Sequence, residues 1–92
     1  MPGPRRTQGS WPKKLQQIET KGDAVAQFCD ALPRDSRHTW ADTCTAVAER
    51  AAESARQGED WQAENAMHTL KSILRSAGRS DIWTNWRKLT EE

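Results

Sequence analysis

The chain has 92 residues, with 14 lysines and arginines against 13 aspartates and glutamates, and five tryptophans. A chain of that length holds one domain at most, and no apolar run in it is long enough to span a bilayer. A formal net charge of +1 lacks the excess that disorder requires, although only ten residues are leucine, isoleucine or valine and one is phenylalanine.

The tryptophans tip the balance toward folding, since each buries on the order of 150–250 Å2. The expected core is thin. Alanine lets helix backbones approach, and Trp, Leu and Ile fill the seams. A core of that kind raises the chance of a homodimer or an obligate partner.

Residues 1–9 are rich in Pro, Gly and Arg and carry no periodicity, so they read as a flexible basic arm. Arg5 and Arg6 are not followed by an apolar segment, which argues against a secretory signal, and the protein is expected in the cytoplasm. Residues 10–92 read as a single helical domain. Ser10 is placed to cap a first helix over 11–21, with Pro12 in its first turn and a stripe of Trp11, Leu15 and Ile18; Gly22 ends it. Asp23 opens a second, 24–32, with Val25, Phe28, Cys29 and Leu32 on one face, stopped by Pro33.

Asp35 or Ser36 begins a third helix that runs to Gln57, with Trp40, Cys44, Val47, Ala48, Ala51 and Ala55 as its apolar stripe. Gly58 terminates it. Asp60 caps a fourth over 61–77, striped by Ala63, Ala66, Met67, Leu70, Ile73, Leu74 and Ala77, and Gly78 ends it. Ser80 caps a last helix over 81–90, carrying Ile82, Trp83, Trp86 and Leu89. No alternating β-branched run occurs. The short link between the third and fourth helices forces an antiparallel hairpin. The fold predicted is therefore all-α: a compact bundle of four to five helices built around a hairpin at 36–77, with the remaining helices packed across its open face.

Charge is distributed unevenly. Residues 1–22 carry Arg5, Arg6, Lys13, Lys14 and Lys21 against Glu19 alone, and residues 23–64 carry nine acids against four arginines. Residues 65–92 carry Lys71, Arg75, Arg79, Arg87 and Lys88 against three acids. Two basic ends flank an acidic middle, and they form one basic face if the fold brings them together.

Nothing in the pattern builds a catalytic site. The paired carboxylates Glu59-Asp60 and Glu91-Glu92 stand at a helix start and at the chain end, and no nucleophile elbow or glycine-rich phosphate loop is present. An enzyme is not expected. Cys29, His38, Cys44 and His68 match no zinc spacing, so neither a metal nor a cofactor is expected. The two cysteines fall on apolar faces, where free thiols act as small hydrophobes; a disulfide between them would be unusual in a reducing compartment. His68, four residues after Glu64, is explained by a contact along one helix face.

The stretch over about 24–42 resembles a helix-turn-helix. A short helix, the turn Leu32-Pro33-Arg34-Asp35, and a second helix opening on Ser36, Arg37, His38 and Thr39 put polar and cationic residues where base edges would be read. On that resemblance Arg34, Arg37, His38 and Thr39 are the base-reading candidates, with Arg5, Arg6, Lys13 and Lys14 gripping phosphates. The bland alternative is a solvated helix start, and Asp35 and Asp42 stand where phosphates would come.

The hairpin resembles part of a tetratricopeptide repeat through Ala51, Gly58, Trp61, Ala63, Met67 and Leu70. It departs from that family at Arg50 and Ser54, and no second copy follows, so the likeness reads as convergence on tight helix packing. In the last helix Trp83 reads as core. Trp86, Arg87 and Lys88, with Trp11, are candidates for a partner surface. The expectation is a small non-enzymatic accessory or regulatory protein that contacts nucleic acid, the alternative being a protein-binding adaptor or inhibitor that uses the alanine-rich hairpin and exposed tryptophans.

Overall fold

The structure, a computed structural model, describes the backbone of residues 11–89 and the side chains of 13–89. The chain forms α1 (Trp11–Asp30), α2 (Ala41–Arg56), α3 (Asp60–Ser76), α4 (Ser80–Thr84) and α5 (Trp86–Leu89), with a 3-10 turn at Ser36–His38 between α1 and α2. The described residues contain no strand. The architecture is the all-α bundle that the apolar periodicity predicts.

Three differences from the sequence expectation go beyond a residue or two at a helix end. Gly22 does not end a helix; it lies inside a continuous α1. The reason is tertiary. A Cβ built on Gly22 would stand 2.8 Å from the carbonyl oxygen of Ala48 and 3.1 Å from the Cβ of Ala52. Glycine is there so that the α1 and α2 backbones can touch, and packing overrides its low helix propensity.

The third helix starts at Ala41, not at Ser36. Asp35 does cap, but it caps the 3-10 turn, its carboxylate accepting from the Arg37 amide at 2.9 Å. The last predicted helix is split at Asn85, whose backbone leaves helical geometry (φ −105°, ψ 26°).

The two predicted glycine terminators at the ends of the hairpin helices behave as expected. Gly58 and Gly78 have φ of 77° and 74°. After each, the chain closes a Schellman motif: Glu59 N–H donates to Ser54 C=O, and Arg79 N–H to Leu74 C=O, both at 2.8 Å. Arg79 also grips Asp81 with two guanidinium nitrogens, at 3.0 and 2.9 Å, which pins the α3–α4 corner and holds the Asp81 carboxyl below its usual range.

Contacts along α1 and α2 run in opposite directions. Arg56, ending α2, reaches Glu19 and Asp23 of α1 at 3.1 and 3.3 Å, Gly22 meets Ala48 and Ala52, and Cys29 meets Cys44. The pair is an antiparallel hairpin. α2 therefore lies between α1 and α3, and α5 crosses back to close the far side against α1.

Alanine lines much of this core: Ala24, Ala48, Ala51 and Ala63 are buried at 3% exposure or less. Leu70, Leu74, Ile82 and Val25 are the largest aliphatics fully enclosed. The tryptophans do less filling than the composition suggests. Among those described, Trp86 is buried, Trp40 and Trp83 are half-buried, and Trp61 is 64% exposed.

Candidate functional site

The segment that resembles a helix-turn-helix is electrostatically closed on itself. Arg34 pairs with Asp42 at 2.7 Å and Asp30 at 3.1 Å. It also donates to the carbonyls of Cys29 and Leu32 at 3.1 and 2.7 Å. It works as a side-chain cap on the C-terminus of α1, where a cation suits the helix dipole.

Arg37 lies 3.6 Å from Asp35, and the ring Nδ1 of His38 lies 3.2 Å from the same carboxylate. The Arg37 amide, the His38 ring and the Arg37 side chain hold the Asp35 carboxyl below its ordinary range. Thr39 is exposed beside a shallow hollow with Trp40 and Ile73. The antiparallel course of α1 and α2 also departs from the steep crossing, roughly 90–120°, of a DNA-reading helix pair.

The remaining sequence candidates divide differently. Arg5 and Arg6 lie outside the described residues, as does the side chain of Trp11. Lys13 and Lys88 are exposed, and Lys14 pairs with Glu64 of α3 at 2.8 Å. Glu64 thus meets a lysine of α1 rather than His68 one turn along its own helix. Trp86, read from sequence as a partner-surface residue, is 8% exposed and belongs to the core. It completes the apolar seam between α1 and the C-terminal elements, and the Arg87 guanidinium stands 5.0 Å from its ring centre.

The two basic ends of the chain meet at one place. Between α1 and α3, walled by Trp83 and Trp86, lies a groove of about 330 Å3. Ile18 and Met67 form its apolar base; Lys14, Gln17 and Lys21 line it from α1, and Glu64, His68 and Lys71 from α3. The Lys21 ammonium sits 3.5 Å above the ring centre of Trp83 and 5.8 Å from that of Trp86. This is close cation–π geometry. Burial, then the charges of Lys71 and Arg87, push Lys21 down to about 8. Among the described residues Glu64 is the one carboxylate lining the groove, and its Oε2 lies 2.8 Å from the Lys14 ammonium.

Lys21 and Lys71 were not singled out from sequence as site residues, and Trp83 was read as core, although the spacing of the lysines carried a signal. Lys14, Gln17 and Lys21 recur at i, i+3, i+7, as do Glu64, His68 and Lys71 at i, i+4, i+7. Each set is a polar stripe running beside the apolar one, on helices that pack on the same neighbour.

Lys21 sets a pH dependence. The unfolded chain keeps its lysine charged until about 10.5, the folded chain only to about 8. Between those values the unfolded state binds more protons, so folding stability rises with pH across the window. The ionisable groups around Lys21 are Lys14 on its own helix, Glu64, His68 and Lys71 from α3, and Arg87 from α5. Comparing urea midpoints of wild type and Lys21→Met from pH 7.5 to 10 isolates this effect. Wild type should gain on the variant as pH rises; a constant difference would show that Lys21 titrates normally.

The two cysteines are free and fully buried. The Cys44 thiol is pushed above its usual range by its hydrogen bond to Cys29 and by burial. Among the described residues no group of three His, Cys, Asp or Glu side chains could hold a metal ion, and no helix is long and apolar enough to cross a membrane. Comparisons with protein families, with characterised proteins and with solved structures give no match.

Proposed function

We propose that this protein is a small non-enzymatic accessory factor that associates with nucleic acid, and that the contact surface is the groove between α1, α3 and α5. One observation carries the reading. Lys21 and Lys71 come from two separate helices and line one tryptophan-walled groove whose described carboxylate is ion-paired, and the charge of Arg87 reaches Lys21 from α5. Like charges brought together repel, and a polyanion relieves that repulsion while releasing its own counterions. Arg5 and Arg6, as the sequence suggests, add phosphate contacts from the arm. The 34–39 segment is given no role, since its cations are matched by Asp30, Asp35 and Asp42.

The test is binding to labelled oligonucleotides at low and moderate salt. Wild type should bind with a steep salt slope. Lys71→Glu should weaken binding and lower the slope by about 0.7–0.9, one phosphate contact, and deleting residues 1–9 should lower it further. Arg37→Ala should change neither. Absence of binding by wild type at low salt sinks the reading.

A second reading, a protein-binding adaptor, draws on Trp61. A tryptophan 64% exposed on the first turn of α3 is the kind of residue that anchors an interface. Under that reading Trp61→Ala removes partner binding while added salt has little effect.

A further inference from the structure

Building on the nucleic-acid reading, we propose that the groove seats one unpaired nucleotide of a single strand, with its base stacked on Trp83 and its phosphate held by Lys21 and Lys71. The stacking position is already marked. The Lys21 ammonium occupies the face of Trp83 at 3.5 Å from the ring centre, about the separation at which a base would lie. It does so on a four-carbon stem that can withdraw, because an ammonium is a mobile point charge. Lys71 and Arg87 repel it. A base that takes over the ring face frees Lys21 to turn to the phosphate, and the phosphate offsets the repulsion that Lys21 meets there.

The remaining walls suit a planar, amphipathic group. Ile18 and Met67 give an apolar floor, and Gln17 and His68 offer polar atoms at the rim for base edges. The volume of about 330 Å3 is at the small end of the roughly 300–1,000 Å3 of ligand pockets, which suits one base and its sugar rather than a strand. A duplex cannot supply the occupant. Its base faces are stacked inside, and only a splayed, unpaired base can enter a recess and lie on an aromatic ring. An acidic peptide supplies the charge without the planar face.

The experiment uses the full chain and fluorescein-labelled strands of roughly 12 nucleotides, within the span one small domain covers. Four probes are compared at one salt concentration: a mixed-sequence single strand, the same strand with abasic sites, the matching duplex, and a free nucleoside monophosphate as competitor. The single strand should bind more tightly than the abasic strand and the duplex, and the mononucleotide should compete weakly. Trp83→Leu should lower single-strand affinity by about five- to a hundredfold, the loss expected for one stacked base, and leave the abasic strand unaffected. Lys71→Glu, at an exposed position, should weaken both.

Equal binding of intact and abasic strands, or of duplex and single strand, overturns the unpaired-nucleotide proposal while leaving nucleic-acid association standing. Competition by the mononucleotide or by an acidic phosphopeptide at the strand's own affinity also overturns it. No binding to any strand at low salt brings down both readings. The probe comparison needs only wild type, so it decides the matter even if Trp83→Leu does not fold.

Discussion

Replacing Trp86 with alanine should destabilise the protein by about 3–5 kcal/mol, the range for truncating a buried aromatic. Trp61→Ala should fall within about 0.5 kcal/mol of wild type, as exposed substitutions do. Both are tryptophans with charged neighbours in sequence, Trp61 beside Asp60 and Trp86 beside Arg87. Their burial separates them: 8% exposed for Trp86, 64% for Trp61. A domain of this size has roughly 5–14 kcal/mol of stability in total, and a core resting on alanine sits toward the lower end. Trp86→Ala should therefore lower the thermal midpoint by more than about 10 °C and leave a measurable unfolded fraction. Circular dichroism melts of both variants check this. A Trp86→Ala protein that melts with wild type would mean the ring is not in the core, and the α5 closure of the groove would fail with it. Loss of ligand binding in Trp86→Ala reports unfolding and says nothing about a contact surface.

The difference between these tryptophans shows what the sequence could carry. Amphipathic spacing specifies which face of a helix is buried, so Leu70, Leu74, Val47 and Ile82 fall where the pattern puts them. It says little about residues at the edge of a stripe. Trp83 and Trp86 stand one turn apart; the first reads as core and is half-buried, the second reads as partner surface and is buried. The position of α5 across α1 decides between them, and that is a tertiary fact.

The cations of the helix-turn-helix-like segment are paired within it for a reason that was present in the letters. Arg34 and Arg37 stand among Asp30, Asp35 and Asp42, and once α1 ends at Asp30 these charges are close enough to neutralise one another. The groove needed more than the letters. Lys21 and Lys71 are 50 residues apart, and only the packing of α1 beside α3 joins them. The conditional expectation that the two basic ends would share a face is met at this one place, where Lys21 lies within electrostatic reach of Lys71 and Arg87.

Gly22→Ala should destabilise the protein, although the same change inside an ordinary helix stabilises by about 0.8–1 kcal/mol. The added methyl would meet the Ala48 carbonyl oxygen at 2.8 Å and the Ala52 Cβ and amide nitrogen at 3.1 Å. The nearest obstacle is backbone, which has no rotamer to turn away, so α1 and α2 must separate. Overpacking of this kind costs about 1–3 kcal/mol, which offsets the propensity gain and leaves a net loss of up to about 2 kcal/mol. Gly22→Leu should lose more, because no repacking keeps the helices in contact. Relieving only the side-chain contact with Ala52→Gly should rescue Gly22→Ala in part, since the Ala48 carbonyl stays in place. Gly78→Ala is the instructive contrast. Nothing lies within 4 Å of a Cβ there, and the cost comes from a φ of 74° alone. Urea midpoints for the three glycine variants and the double variant separate the two mechanisms: crowding depends on the partner residue at 52, strain at Gly78 does not. A Gly22→Ala protein more stable than wild type would show that α1 and α2 are further apart than this packing requires, and that the glycine is a helix weakness with no structural purpose.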